Sequence, residues 1–95
     1  MRAKSAEARS RTQAHRLLYT LVMQRNDATK IRTSLGQRIA ALRAADGLTQ
    51  EQFAENLGTS TRYLQAVESG RENLTIESLA KLANALGRPL LIALR

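Results

Sequence analysis

Four of the five glycines in this 95-residue chain, Gly47, Gly58, Gly70 and Gly87, each close a stretch of helical hydrophobic spacing. Glycine readily ends a helix in the left-handed conformation. The one proline, Pro89, stands just beyond the last of these stops. Between the stops Ala, Leu, Arg, Gln and Glu dominate, all good helix formers. Punctuation this close leaves room for short helices and little else, so the chain is expected to be all-α.

The helices can be placed from their caps. Ser34 with Gln37 three residues later fits a capping box, which predicts a first core helix from Ser34 with Leu35, Ile39 and Leu42 on one face and Gly47 as its left-handed cap. Thr49 and Gln52 form a second capping box, opening "TQEQFAENL", with Phe53 and Leu57 as its buried pair. Only Thr59 and Ser60 separate Gly58 from the next helix, "TRYLQAVES", in which Leu64 and Val67 point inward. Two short helices across a tight turn containing Gly make a helix-turn-helix unit, and the small Ala54 lets them cross closely. Thr75 caps a fourth core helix, with Ile76, Leu79, Leu82, Ala83 and Leu86 on its apolar face.

Both ends of the chain fall outside this bundle. Residues 1–33 read as a basic N-terminal arm, 34–87 as the domain, and 88–95 as an apolar tail. The formal net charge is +7, a balance that favours polyanionic partners. Its distribution is uneven: residues 1–34 carry eight Lys or Arg against Glu7 and Asp27, and residues 35–95 carry seven against six acidic residues. The arm is either a solubilising tail or a contact for a polyanion. Within it, "HRLLYTLVMQR" places Leu17, Leu18, Leu21 and Val22 on one stripe of an amphipathic helix, a face that needs a partner. Asn26-Asp27 is a plausible break after it. The tail "LLIAL", residues 90–94, follows a breaker and reads as a strand. One strand cannot satisfy its own backbone hydrogen bonds. It either pairs with the same strand of a second subunit or packs on its own domain as extended chain.

Several classes are excluded or disfavoured. There is no Cys, so neither a disulfide nor a thiolate metal site can form. One His and eight acidic residues leave little for a metal cage. No nucleophile–base constellation and no Gly-rich phosphate loop is present, so no enzyme and no cofactor is expected. His15 lies among arginines and reads as a surface residue. Two Tyr and one Phe are few for stacking the bases of single-stranded RNA. No apolar run approaches the length of a membrane span, and no signal peptide is recognisable. The expected location is cytoplasmic.

What remains is the polar face of "TRYLQAVES", where Thr61, Arg62 and Gln65 stand together on the outer side. A helix that only filled a core would not need them. The segment "LGQRIAALRAADGLTQEQFAENLGTSTRYLQAVESGRENLTIESLAKLANALG" resembles the helix-turn-helix domain of the phage repressor (Cro/C1, XRE) family, through "LTQEQFA", "YLQAVESG" and "SLAKLANALG". The resemblance covers residues 35–87 and implies a lambda-repressor-like helix-turn-helix bundle that binds double-stranded DNA. It places Thr61, Arg62, Gln65 and Ala66 on the face that meets base edges. Gln50 falls where the family contacts phosphate and braces the recognition helix. The chemistry agrees: Arg bonds bidentately to guanine O6 and N7, Gln to adenine N6 and N7, and Ala meets a thymine methyl. Ser60, Tyr63 and Arg71 lie at the edges of this surface and suit phosphate contacts. Each has a plainer reading: Gln50 as part of a cap, Tyr63 as a core residue, Gln65 as solvated surface. The resemblance also pairs an Arg of the first helix with a Glu near the end of the recognition helix, here Arg43 and Glu68.

One such domain reads few base pairs, so a homodimer on a palindromic operator is expected. Leu86, Leu90, Leu91, Ile92 and Leu94 are the candidate dimerisation residues. The apolar ending also resembles the HipB-type antitoxins of the family, which implies an autoregulating antitoxin with a cognate toxin as a further partner. The alternatives are a stand-alone phage-type regulator, or a protein-interaction module that keeps the helix-turn-helix as a scaffold.

Overall fold

The computed structural model describes residues 27–95. They form four helices: α1 (Ala28–Ala45), α2 (Gln50–Leu57), α3 (Thr61–Glu68) and α4 (Ile76–Ala85). The arm's stripe, Leu17, Leu18, Leu21 and Val22, lies outside the described residues, as do the rest of residues 1–26.

α1 starts earlier than its sequence suggests. Asp27 is its N-cap: Oδ1 accepts from the backbone N–H of Thr29 at 2.9 Å and of Lys30 at 3.3 Å. Ser34, the expected cap, sits inside the helix and is exposed. No breaker separates Asp27 from Ser34. Once Asp27 has satisfied the first amides, each further residue adds a backbone hydrogen bond, and a Ser in mid-helix costs only about 0.5 kcal/mol. Residues 28–33, read with the arm, are therefore the first turns of α1.

These turns pack against the far end of α3. A Cβ on Gly70, whose φ is +79°, would lie 2.7 Å from the Thr33 Cα. Farther along α1, buried Gly36 has the same role. A Cβ there would collide with the carbonyl oxygen of Val67 and lie 2.7 Å from that of Glu68. The two helices are in backbone contact, which only glycine permits.

α2 and α3 form the helix-turn-helix. Thr49 Oγ1 accepts from the Gln52 N–H at 3.1 Å while Gln52 Oε1 accepts from the Thr49 N–H at 2.9 Å, a complete capping box. Gly58 closes α2 in the left-handed region at φ +69°. Two residues later Ser60 Oγ caps α3 by accepting from the Tyr63 N–H at 3.0 Å. The turn is too short for the helices to separate, so Phe53 and Ala54 of α2 meet Leu64 and Val67 of α3 directly. Phe53, Leu64 and Val67 are the largest fully buried side chains. Burying each stabilises the fold by about 1.5–3 kcal/mol.

α4 closes the core. Thr75 Oγ1 caps it by accepting from the Ser78 N–H at 3.0 Å. Leu82 and Leu86 are buried and Leu79 is half-buried. Ile76, expected on the apolar face, is 64 % exposed. It is the first residue of α4 and overhangs the end of the core. Leu86, expected at a dimer face, is only 7 % exposed and belongs to the core of its own chain.

The tail departs further from expectation. Among the described residues there is no strand, and residues 88–95 carry no regular structure. Leu91 is 89 % exposed and Leu94 fully so. A strand is stable only beside another, and the described residues supply none. No described helix is long and apolar enough to cross a membrane.

Replacing Gly36 by Ala tests the close approach of α1 and α3. Backbone, not a flexible side chain, would have to move, so Gly36→Ala should destabilise by about 1–3 kcal/mol. A thermal melt followed by circular dichroism should show a fall of roughly 4–8 °C per kcal/mol. An unchanged melt would mean the helices are not in backbone contact.

Candidate nucleic-acid interface

α3 has two faces of opposite character. Leu64, Val67 and Glu68 point inward and are buried. Arg62 and Gln65 are exposed, and half-buried Ala66 lies between them and the domain. Ser69, seven residues after Arg62, continues the outer face past the helix end and is exposed. Thr61 and Tyr63 flank it, both half-buried. Tyr63 leans on the core and lines a shallow hollow of about 180 Å³ with Leu57, Thr59 and Lys81. It thus stands on the α4 side of the surface. Ser60 is engaged as the helix cap through its acceptor lone pair, which leaves its hydroxyl hydrogen to donate outward.

The buried face carries a charge. Glu68 is only 9 % exposed. Arg43 of α1 grips it with a fork: Nε donates to Oε2 at 2.6 Å and Nη2 to Oε1 at 3.0 Å. The third guanidinium nitrogen, Nη1, donates to the Leu48 carbonyl at 2.7 Å. From α2, Gln50 Nε2 donates to Glu68 Oε1 at 3.0 Å. Gln50 Oε1 in turn accepts from Gln65 Nε2 at 3.4 Å. One run of side chains, Arg43–Glu68–Gln50–Gln65, thereby links three helices and reaches from the core to the exposed face. Hydrogen bonding to Glu68 raises the Arg43 pKa above its ordinary value, desolvation works against this, and the negative charges of Glu68 and Glu51 add to the rise.

At the other end of the outer face, Arg71 Nε donates to Ser69 Oγ at 2.8 Å, and Ser69 Oγ donates to the Ala66 carbonyl at 3.2 Å. Behind them Arg32 Nε donates to the Gly70 carbonyl at 3.4 Å. The structure therefore gathers Gln50, Thr61, Arg62, Gln65, Ala66 and Arg71 along one edge, with Ser60 and Tyr63 at its start. Reading the sequence missed Ser69, although its spacing from Arg62 and Gln65 continues the same face. It also missed Gly36, whose signal was a glycine inside a helical pattern, and Arg32, which had none. No group of three or more metal-ligating side chains occurs among the described residues.

A short helix with an exposed polar face, clamped from behind by a buried ion pair and preceded by a helix across a glycine turn, defines a helix-turn-helix recognition unit. Residues 39–92 match the helix-turn-helix family model, and the chain belongs to that family in its phage-repressor (Cro/C1, XRE) branch of transcription regulators. It is 44 % identical over 57 residues to an HTH-type transcriptional regulator of Sinorhizobium fredii, covering 60 % of this chain and 74 % of the relative. It is 43 % identical over 54 residues to the immunity repressor protein of Bacillus phage phi105, covering 57 % of this chain and 38 % of that one. The chain thus spans well under half the length of the phage repressor. Among solved structures, the restriction-modification controller protein C.AhdI of Aeromonas hydrophila superposes with a TM-score of 0.57 at 38 % identity, over 60 % of this chain and 86 % of that one.

The ion pair gives a stability test. Glu68→Ala leaves the half-buried Arg43 guanidinium without its carboxylate and should cost about 3–5 kcal/mol in urea unfolding. A raised pKa gives stability that is present below the group's unfolded value and lost only as pH rises through the higher folded value. Both lie far above neutrality, so Arg43 should add no slope to stability between about pH 6 and 9. Wild-type stability of Glu68→Ala would remove the clamp from the account.

Proposed function

We propose that the protein is a sequence-specific transcriptional repressor that reads double-stranded DNA through the outer face of α3 and acts as a homodimer on a palindromic operator. The observation that carries this reading is the pairing of exposed Arg62 and Gln65 with a buried brace that holds their helix. In this reading Arg62, Gln65, Thr61 and Ala66 meet base edges in the major groove. Gln50, Ser60, Tyr63 and Arg71 contact phosphates. Gln50 has a double task, since its amide also bonds Glu68 and Gln65. The tail residues Leu90, Leu91, Ile92 and Leu94 form the dimer contact, three of them well exposed in the single chain. Leu86 contributes only from beneath, as part of the core.

The narrower reading is an antitoxin that represses its own promoter. It rests on the apolar tail alone. A phage repressor among the relatives fits a stand-alone regulator equally well, and co-purification with the product of the neighbouring gene separates the two.

Fluorescence anisotropy against the DNA upstream of its own gene, with a scrambled duplex beside it, tests the core reading. Arg62→Ala should lower affinity for the operator by about 1–3 kcal/mol and leave binding to the scrambled duplex nearly unchanged. Arg71→Ala should weaken both and lower the salt slope by about one. Equal, weak binding of the wild type to both duplexes would favour the protein-interaction module instead. For the dimer, Leu91→Asp with Leu94→Asp should give a monomer in sedimentation, and a persisting dimer would move the interface elsewhere.

A further inference from the structure

A groove of about 350 Å³ runs between α1 and α4, lined also by Pro89, Leu90 and Leu91 of the tail. Buried Ile39, Leu82 and Leu86 form its floor, and half-buried Leu35, Leu42 and Leu79 its walls. The groove's lining on α1 begins at Leu35, and the apolar stripe of the helix continues before it. Ile31 lies four residues before Leu35, on the same face of the helix, and is 44 % exposed. An apolar stripe that runs past the groove towards the N-terminal end of the helix is left open to water.

We propose that residues 17–22 of the same chain cover it. They fold back antiparallel to α1, laying Leu17, Leu18, Leu21 and Val22 on Ile31 and Leu35. The connection supports the reversal. Asp27 caps α1 with extended backbone, φ −72° and ψ 115°, so the chain before it leaves the helix axis instead of prolonging it. Four residues separate Val22 from Asp27, and they span up to about 14 Å. The rise along α1 from Asp27 to Leu35 is about 12 Å. A connection of this length is ordinary between antiparallel helices.

The composition supports it too. Residues 17–24 carry no charge, although the first 34 residues carry eight Lys or Arg. Arg38 and Arg88 border the groove and would oppose a cationic occupant but not this one. Finally, the segment is tethered. A short flexible link gives an effective concentration of order millimolar, which a second copy of the chain does not match at ordinary protein concentrations. The stripe is then part of the domain's own structure, not a free surface for another protein. This assignment is independent of the DNA-binding reading.

The chain contains no cysteine, so two can be introduced cleanly. The full-length variant Leu21→Cys/Ile31→Cys is compared with Leu21→Cys/Lys30→Cys. Ile31 and Lys30 are both exposed, so neither change disturbs the core. Their separations from position 21 differ by one residue, which makes loop closure equally easy for a free arm. Lys30 faces away from the groove. Docking predicts that the intramolecular disulfide forms at least about ten times faster with position 31 than with position 30. Equal rates would overturn the proposal, and a disulfide-linked dimer would assign the groove to a second copy. In parallel, Leu18→Ser/Leu21→Ser should lower the melting temperature of the full chain by several degrees. An unchanged melt would equally overturn it.

Discussion

The carboxylate of Glu68 is the point where the helices that matter meet. It is the last residue of α3, and it accepts from Arg43 of α1 and Gln50 of α2. A buried charge is tolerated only if its hydrogen-bonding capacity is filled with good geometry, and an ion pair of this kind often adds little net stability. Its consequence is orientational. Any rotation of α3 would separate Glu68 from partners on two other helices at once. Among the described residues no buried side-chain nitrogen or oxygen lacks a partner, so a turn of α3 would break hydrogen bonds that are now made.

The clamp depends on sterics that look unrelated to it. Arg43 reaches Glu68 because α1 and α3 lie in backbone contact, and they do so because Gly36 has no Cβ to hold the carbonyls of Val67 and Glu68 away. Gly70 gives the same closeness at the other end, against Thr33. The early start of α1 at Asp27 belongs to this arrangement, since a helix beginning at Ser34 would leave Gly70 uncovered. The exposed face of α3 is therefore aimed by elements behind it, and Gln50 carries the connection through to Gln65.

The charges complete the division of labour. The domain is nearly neutral, with Arg62 and Arg71 at the outer face of α3 and most of the excess positive charge in residues 1–34. The domain itself carries little net charge, so long-range attraction for any polyanion would have to come from the basic segment.

The features that the sequence determined by itself are local. The capping roles of Thr49, Ser60 and Thr75 depend on hydrogen bonds within three residues. The inward stripes of Phe53, Leu57, Leu64, Val67 and Leu82 follow from helical spacing, and the Arg62–Gln65 face from its complement. What the tertiary structure decided is each case where two local solutions were open. Ser34 was the expected cap and Asn26-Asp27 only a break, yet α1 starts at Asp27 and its first turns pack on Gly70. Ile76 and Leu86 sat on one stripe, yet the core ends before Ile76 and closes over Leu86. The tail had a strand's pattern, but the described residues of the single chain hold no strand beside it. Gln50 could have served only its own helix, and the nearness of Glu68, eighteen residues away, gave it two partners instead. Local hydrogen bonds are written in adjacent residues; which of two such solutions wins depends on surfaces that meet only once the chain has folded.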